Sequence, residues 1–589
     1  MHSDRATTPA RPRFLRRARL LTAAAIALAL GTTVAACDSA ASSEADAPSK
    51  GGTLRVFVAD LPTHLDPQKI SLATDSDISR LITRTLTTTK AEPGSASSEI
   101  VPDLATDTGR PSNGNKTWEF KLKDGVKWQD GAAINCAQLK YGAERNFSEL
   151  MLDGLPYARI YLEKKPANYA GPFLNGNNGG NGLESIECVD ARTIRYNLKQ
   201  AVGDFGYAAA LPVFAPVRPE KDGADKKAYD LAPFATGPYK VKEGSRDKER
   251  MTLVRNDSWD TATDTVRKAY PDQIVIIARN DSAEQTNKMI ADQGEERSGV
   301  MLDQDVAPNF LQQVVNDPEL AGRTASGPTG GVRYFAINTS KITNLKCRQA
   351  YAYAFDKRKF RTAMGGSIMG DIATSMIPPS LASHKEFDIY GNRTRPDGDV
   401  DKAAELLKSA KTCPKELKVA FRDTPAIRRL MKPLTEMYLR VGIKITPIAV
   451  PSLGFYTTIS DPGLGFDMIY AGWLADFPNG SAVVPPLFDG RDLPEPGETG
   501  TLNFSFFHNE EIERLIDEAI AEPDLERQYK LWGELDQKII EQAAAIPVIF
   551  NDGQRMYGSN VTGVFISAMF AMPDLSAIGL KDPAASNVS

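Results

Sequence analysis

The stretch TWEFKLKDGVKWQDGAAINCAQLKYGAERNF, residues 117–147, contains the pattern of a strand pair, a further turn and a helix. Large apolar and polar side chains alternate in its first part, as in a strand with one buried face. The apolar side chains are Trp118, Phe120 and Leu122. An Asp-Gly pair at 124–125 is a hairpin-turn signal, and a second pair at 130–131 predicts another turn. The segment that follows from Cys136 has the composition of a helix.

Strand and helix patterns also alternate elsewhere along the chain. ELKVAF (416–421) and IKITPIAV (443–450) are strand patterns, and the apolar spacing between them predicts a helix over 427–441. Pro433 should kink that helix or shift its start. Together these segments predict a β-α-β unit. An alternation over 54–58 predicts a further, half-buried strand, so we expect a mixed α/β protein.

The first 50 residues are typical of an exported and anchored protein. A basic leader precedes an apolar run over 20–30, which is shorter than the ~20 residues that a spanning helix needs. The residues Val-Ala-Ala directly before Cys37 resemble the bacterial lipobox, in which the cysteine is lipidated. We therefore expect a signal peptide over 1–36 and a lipid-anchored, flexible tether over 37–50. An ordinary cleavage site beside an incidental cysteine is the alternative.

Composition argues against some classes of protein. The 589 residues carry a formal net charge of −5, from 70 basic and 75 acidic side chains. A mildly acidic chain does not favour a nucleic-acid binder or a polybasic membrane surface. Apolar residues make up 42% and aromatic residues 8%, which suits a globular protein, and the length predicts two or three domains.

Sequence motifs for catalysis are absent. There is no G-x4-G-K-[ST] phosphate loop, no G-x-G-x-x-G after a strand, no C-x-x-C and no H-E-x-x-H. GGSIMG (365–370) is not a nucleophile elbow, because Met369 replaces the last glycine of G-x-S-x-G. The four histidines are scattered, which disfavours a hydrolase, while a carboxylate-only enzyme stays open. We expect a protein that is not an enzyme and has no cofactor and no metal site.

Several stretches resemble the bacterial extracellular solute-binding proteins of family 5, which serve ABC importers of peptides and nickel. GGTLRVFVADLPTHLDP (51–67) is similar to the start of the mature family members, and residues 117–145 are similar to the family's D-G-V-K-[FW]-x-D-G segment. The other matching stretches are ATGPYKV (235–241), LVRNDSW (253–259), VRYFAINTSKITNLKCRQAYAYAFDKRKF (332–360) and FDMIYAGWLADFPNG (466–480). They occur in the family's order over nearly the whole chain after the leader.

The resemblance implies an α/β fold of the periplasmic-binding-protein type II-like class. Two α/β lobes close around a ligand cleft and are linked by crossing strands, and a smaller third lobe is inserted into the first. The implied boundaries are lobe I at 51–95, 188–328 and 541–589, the inserted lobe II at 96–187, and lobe III at 329–540.

Four cysteines follow Cys37, and three pairings of them are possible. We favour Cys136–Cys188 and Cys347–Cys413, because each pair then belongs to one expected domain; the first would tie the inserted lobe near its exit. Exported proteins can keep disulfides. Four buried free thiols are the alternative.

The resemblance also implies ligand-binding residues. In oligopeptide-binding members the aspartate of a W-x-A-D-[YF] segment pairs with the α-amino group of the peptide, and Asp476 stands at this position. A buried carboxylate needs such a partner, although capping a turn before Pro478 is the alternative role. Trp473 could form a wall of a side-chain pocket or belong to the core. Tyr334 and Phe335 lie on the crossing strand, where alternation puts one on each face.

The sequence thus predicts a substrate-binding lipoprotein of an ABC transporter, held at the outer face of the cell membrane. It would capture oligopeptides by lobe closure as a monomer and deliver them to permease and ATPase subunits, with no nucleic acid involved. The same scaffold binding a nickel chelate, an opine or a sugar is one alternative. A peptide-sensing surface receptor is the other, and the choice between general and twin-arginine export stays open.

Overall fold

The computed structural model describes residues 47–173, 182–222 and 226–587. The expected signal peptide, the expected lipidation at Cys37 and most of the expected tether lie outside the described residues. Within those residues, no helix has the length and apolar character needed to cross a lipid bilayer.

The strands form three larger sheets and two short ribbons. In chain order they are β1 (Thr53–Val58), β2 (Thr87–Thr89), β3 (Ile100–Pro102), β4 (Arg110–Ser112), β5 (Thr117–Lys121), β6 (Ile186–Asp190), β7 (Thr193–Asn197), β8 (Tyr239–Val241), β9 (Arg250–Arg255), β10 (Gln273–Ala278), β11 (Gly299–Met301), β12 (Thr324–Ile337), β13 (Gly370–Ile372), β14 (Glu416–Arg422), β15 (Lys444–Val450), β16 (Met468–Leu474), β17 (Ala545–Met556), β18 (Val561–Thr562) and β19 (Gly579–Leu580).

Helices connect and cover these sheets. In chain order they are α1 (Ala73–Arg80), α2 (Cys136–Arg145), α3 (Tyr157–Tyr161), α4 (Phe205–Ala208), α5 (Lys226–Leu231), α6 (Ser282–Ala291), α7 (Leu311–Asn316), α8 (Pro318–Ala321), α9 (Leu345–Ala354), α10 (Lys357–Met364), α11 (Val400–Ala410), α12 (Pro425–Leu439), α13 (Phe455–Ile459), α14 (Val484–Phe488), α15 (Glu510–Ala521) and α16 (Leu525–Glu541).

The three larger sheets are the frames of the three lobes that we propose. Their strand orders are β11-β1-β10-β9-β8 for lobe I, β4-β5-β7-β6 for lobe II and β13-β17-β12-β16-β14-β15 for lobe III. Pairing of β7 with β5 extends the lobe II sheet to Asn197, beyond the expected boundary at 187. Pairing of β17 with β12 likewise places 545–556 in the lobe III sheet, not in lobe I.

The first strand differs from its prediction. All six residues of β1 are buried, whereas the alternation over 54–58 predicted a strand with only one buried face. The reason is its position in the sheet, because β1 runs parallel to β10 on one side and to β11 on the other. A central parallel strand is covered on both faces.

The 117–147 stretch folds as predicted in its helix but not in its strand pairing. β5 pairs with β4 and β7, so the expected partner strand directly after the first Asp-Gly turn is wrong. The second turn is closed by an isolated antiparallel β-bridge between the backbones of Lys127 and Ala133. α2 begins at Cys136, after a capping box in which Asn135 and Gln138 satisfy each other's backbone N–H groups.

The predicted β-α-β unit is confirmed in the lobe III sheet. β14 and β15 are parallel neighbours, and α12 connects them. The helix begins at Pro425, two residues before the predicted start, because the side chain of Thr424 caps it by accepting from the Ile427 N–H. It continues through Pro433.

Two disulfides fasten the lobes internally. Cys136–Cys188 joins α2 to β6, with 5.7 Å between the Cα atoms. Cys347–Cys413 joins α9 to the segment before β14, with 5.5 Å between the Cα atoms. These are the two pairs that we favoured from the sequence.

A buried ion cluster joins lobe I to the start of lobe II. The Asp103 carboxylate accepts from Arg84 Nε at 2.7 Å and from Arg267 Nη2 at 2.8 Å. Asp264 accepts from Arg267 Nη1 at 3.1 Å. All four side chains are at most 2% exposed, so removing one carboxylate leaves buried positive charge without compensation.

Asp103→Asn is therefore expected to lower the free energy of unfolding by about 3 kcal/mol, measured by urea denaturation at neutral pH. Glu119→Gln is the matched control, because Glu119 pairs with Arg195 across 3.0 Å while about a third of each side chain is exposed. That pair should contribute less than about 1 kcal/mol. Equal losses in the two variants would contradict the expectation.

Candidate ligand-binding site

Two adjoining cavities lie between the lobe I and lobe III sheets, and we call them together the ligand groove. The first has a volume of about 350 Å³ and the second about 460 Å³, within the usual range of small-ligand sites. Residues on the lobe III side of the first cavity include Arg333, Arg422, Arg429, Tyr456, Tyr470 and Gly472. Residues on the lobe I side of the second include Ala59, Asn280, Ser282, Gln304, Pro308 and Leu311. Asp305, Met369 and Asp552 line both cavities, so the groove is continuous there.

Two crossing strands, β12 and β17, connect the two sides of the groove. They pair antiparallel from Thr324 opposite Met556 to Ala336 opposite Ala545. The pairing shifts register between Pro328 and Val332. The shift interrupts the ladder midway, where the chain passes from one lobe to the other.

Arg333 is placed on the groove wall by β12. It lies opposite Gly472 of the neighbouring strand β16. A Cβ atom at Gly472 would come within 2.5 Å of Arg333 Nη1. The glycine therefore leaves the space in which the half-buried guanidinium lies against the strand.

Arg422 and Arg429 come from the β14-α12 connection. Arg422 ends β14, and its Cζ atom lies 5.3 Å from the ring centroid of Phe455 and 4.9 Å from that of Tyr456. These ring faces attract the cation and hold its orientation. Arg429 is exposed on the first turns of α12.

Acidic groups mark the junction of the two cavities. Asp305 pairs with Arg555 and accepts from the Gln554 N–H at 2.7 Å. Burial raises the pKa of Asp552 to about 6, and repulsion by Asp371 adds to the shift. The groove thus has guanidinium groups on its lobe III wall and carboxylates at its middle.

Asp476 lies two residues beyond β16 and is half-buried. Its Oδ2 atom accepts from the Tyr157 hydroxyl at 2.6 Å, which joins lobe III to lobe II. Burial raises the pKa of Asp476, and the Tyr157 hydrogen bond opposes this effect. Trp473 is half-buried, and its Nε1 donates to the Ala482 carbonyl at 2.8 Å. Neither side chain is among the described residues that line the ligand groove.

Tyr334 and Phe335 lie in the hydrophobic core. Tyr334 is 2% exposed and Phe335 is fully buried. The Phe335 ring packs 4.9 Å from the Tyr470 ring. A role of either in ligand binding stays a prediction. Their neighbour Arg333, which lines the groove, was missed by the sequence reasoning, although it follows from strand alternation beside Tyr334.

The structure contains no evident metal-binding cluster in its described part. There, no three His, Cys, Asp or Glu side chains are grouped so that they could hold a metal ion.

Comparison with known proteins gives the family. The family described as "Bacterial extracellular solute-binding proteins, family 5 Middle" matches residues 99–494. The chain belongs to the family 5 extracellular solute-binding proteins. This family is a solute-binding scaffold of ABC importers, not an enzyme scaffold, and its members act outside the cytoplasm with permease partners.

Relatives of this family 5 chain include glutathione-binding proteins. The protein GsiB of Escherichia coli K12 is 24% identical over 467 residues, which cover 78% of this chain and 81% of GsiB. GsiB of Salmonella typhi is 22% identical over 476 residues, which cover 79% and 82%.

Solved structures share the fold. The oligopeptide binding protein 2 of clavulanic acid biosynthesis has a TM-score of 0.82 at 27% identity, over 91% of this chain and 97% of its own. The unliganded open form of the murein tripeptide binding protein MppA has a TM-score of 0.72 at 20% identity, over 91% and 99%. The type II-like periplasmic binding fold expected from the sequence is confirmed.

The raised pKa of Asp552 predicts a pH-dependent stability. The Asp552 carboxyl binds its proton more tightly in the folded state than in the unfolded state. The free energy of unfolding therefore falls as the pH rises from about 4 to about 6, the loss is complete above that range, and it is absent below pH 4. Asp552→Asn should therefore raise the free energy of unfolding by about 1–2 kcal/mol at pH 8 and leave it unchanged at pH 4. Urea denaturation at both pH values measures this.

The control for this variant is Asp492→Asn, which changes an exposed carboxylate outside the groove. It should have little effect at either pH. A gain for Asp552→Asn that is the same at pH 4 and pH 8 would refute the electrostatic cause.

Proposed function

We propose that this chain is the lipid-anchored substrate-binding protein of an ABC importer and captures oligopeptides in the ligand groove. The observation that carries the proposal is the groove itself, which lies between two lobes and has charged groups of both signs. A peptide has complementary charges at its two ends. The 27% identity to a structure named as an oligopeptide binding protein supports the same ligand class.

Capture follows from the connection between the lobes. Since β12 and β17 are the long strands that pass between lobe I and lobe III, a change at their register shift would open or close the groove. A ligand that contacts both walls stabilises the closed state by its differential affinity. The closed form is then the one delivered to the permease.

The anchor is proposed from the sequence before the described residues. The apolar run and the small residues preceding Cys37 support lipidation of that cysteine. One acyl chain binds a membrane only marginally, so stable anchoring at the outer face needs more than one chain.

Native mass spectrometry of the protein extracted from its own host membranes tests both parts. The intact mass is expected to show a chain that begins at Cys37 and carries acyl groups. Denaturation is expected to release peptides of several lengths. A single non-peptide mass would reject the peptide assignment, and a mass equal to glutathione would favour the ligand named for the GsiB relatives.

Asp476 is proposed to pair with the α-amino group of the peptide, whose amino end would then extend beyond the residues that line the ligand groove. Wild-type protein should therefore bind Ala-Ala-Glu about 10- to 100-fold more tightly than its N-acetyl form, because a charge-assisted hydrogen bond is lost. Asp476→Asn should bind both forms with the same affinity. Isothermal titration calorimetry measures the four dissociation constants.

Tyr157→Phe provides the control, since it removes the hydroxyl that donates to Asp476 but leaves the carboxylate. This variant should still prefer the free amine. If Asp476→Asn keeps the wild-type preference, Asp476 is not the partner of the amino group.

A further inference from the structure

The lobe III wall of the ligand groove carries three arginines that have no counter-ion of their own. In the described part of the chain, none of Arg333, Arg422 and Arg429 forms an ion pair or a side-chain hydrogen bond with another residue. Asp552 at the junction with the second cavity is likewise without an ion pair there. The first cavity therefore has an excess of positive charge on its lobe III side.

Two neighbouring arginines do form ion pairs. Arg428 lies next to Arg429 on α12 and pairs with Asp423, and Arg555 on β17 pairs with Asp305. The arginines that line the lobe III wall differ from them in this respect. The difference is one of position, since the side chains that point into the cavity are the ones left without a partner.

Two of the three guanidinium groups have defined neighbours although they lack carboxylate partners. Gly472 provides the space for Arg333, and the rings of Phe455 and Tyr456 support Arg422. Tyr456 is itself stacked on Phe504, with 5.8 Å between the ring centroids. Side chains that are fixed before the ligand arrives lose less conformational entropy on binding, which favours affinity for a complementary anion.

We propose that the ligand groove selects acidic peptides, which carry an acidic side chain in addition to the terminal carboxylate, through Arg333, Arg422 and Arg429. This inference rests on the proposed function, because it names the ligand class of the same site.

The number of cations determines the ligand class. One terminal carboxylate can accept a bidentate pair of hydrogen bonds from one guanidinium, which leaves the other two without an anion. A second carboxylate on a neighbouring residue of the ligand compensates one of these two, and the third guanidinium adds attraction for both anions. Asp552 repels anions from the junction, so the acidic end of the ligand points toward the arginines and away from the second cavity.

Binding of three matched peptides tests the proposal. Ala-Ala-Glu, Ala-Ala-Gln and Ala-Ala-Lys have the same length and termini, and calorimetry on the full chain gives their dissociation constants. Wild-type protein should bind Ala-Ala-Glu at least about tenfold more tightly than Ala-Ala-Gln, and Ala-Ala-Lys most weakly. The double variant Arg333→Gln/Arg422→Gln should reduce the tenfold preference to less than about threefold while Ala-Ala-Gln still binds.

The control variant is Arg428→Gln, which removes an arginine of α12 that does not line the groove. It should keep the wild-type preference. If the double variant does not fold, Arg429→Gln replaces it. Loss of this exposed guanidinium is expected to lower the preference for Ala-Ala-Glu over Ala-Ala-Gln by about two- to fivefold. Equal affinity of wild-type protein for the three peptides would overturn the inference, as would an unchanged preference in the groove variants.

A dicarboxylate separates failure of this inference from failure of the proposed function. If no peptide binds but glutarate binds wild-type protein and not the double variant, the peptide function is wrong and the anion selectivity stands. If peptides bind equally and glutarate does not bind, the peptide function stands and the selectivity is wrong. If neither peptides nor glutarate bind, both are rejected.

Discussion

The antiparallel pairing of β12 with β17 is the constraint on which the rest of the structure depends. These strands are neighbours in the lobe III sheet, and their far ends, Thr324 and Met556, pair close to lobe I. A bridge from Val300 of β11 to Tyr557 then connects them to the lobe I sheet. The two walls of the ligand groove are therefore connected by a ladder of backbone hydrogen bonds, which is interrupted by register shifts between Pro328 and Val332 and between Arg333 and Tyr334.

The same two strands also position opposite charges. Arg333 belongs to β12 and Asp552 to β17, and both line the first cavity. In a low-dielectric interior these groups would attract strongly and neutralise each other if they were in contact. Instead each lacks an ion pair within the described part of the chain, which keeps both available to a ligand. An unpaired charge on a cavity wall is costly for the free protein, and this cost is what a complementary ligand relieves.

Local sequence patterns predicted local structure well. The helix from Cys136 and the β14-α12-β15 unit follow from turn, capping and apolar spacing, which act over a few residues. The burial of β1 and the pairing of β5 with β7 did not follow, because they depend on strands more than fifty residues away. Arg422 and Arg429 were not predicted as groove residues for the same reason. Nothing near Arg422 in the sequence indicates that Tyr456 supports it or that Arg333 lies across the same cavity.

The Asp476 region shows how tertiary contacts decide the meaning of a short motif. The chain after β16 is held by contacts from outside its own lobe, since Asp476 accepts from Tyr157 and Asn479 donates to Asp204 at 2.8 Å. Burial raises the pKa of Asp204, and its hydrogen bonds from Ser481 and Asn479 counteract this. Both aspartates thus receive neutral donors, which stabilise a carboxylate without cancelling its charge. For Asp204 one of the two donors, Asn479, is fully buried within the protein. Asp476 is only half-buried, and its carboxylate retains acceptor capacity beyond the one bond from Tyr157, which its proposed pairing with the α-amino group of a peptide requires.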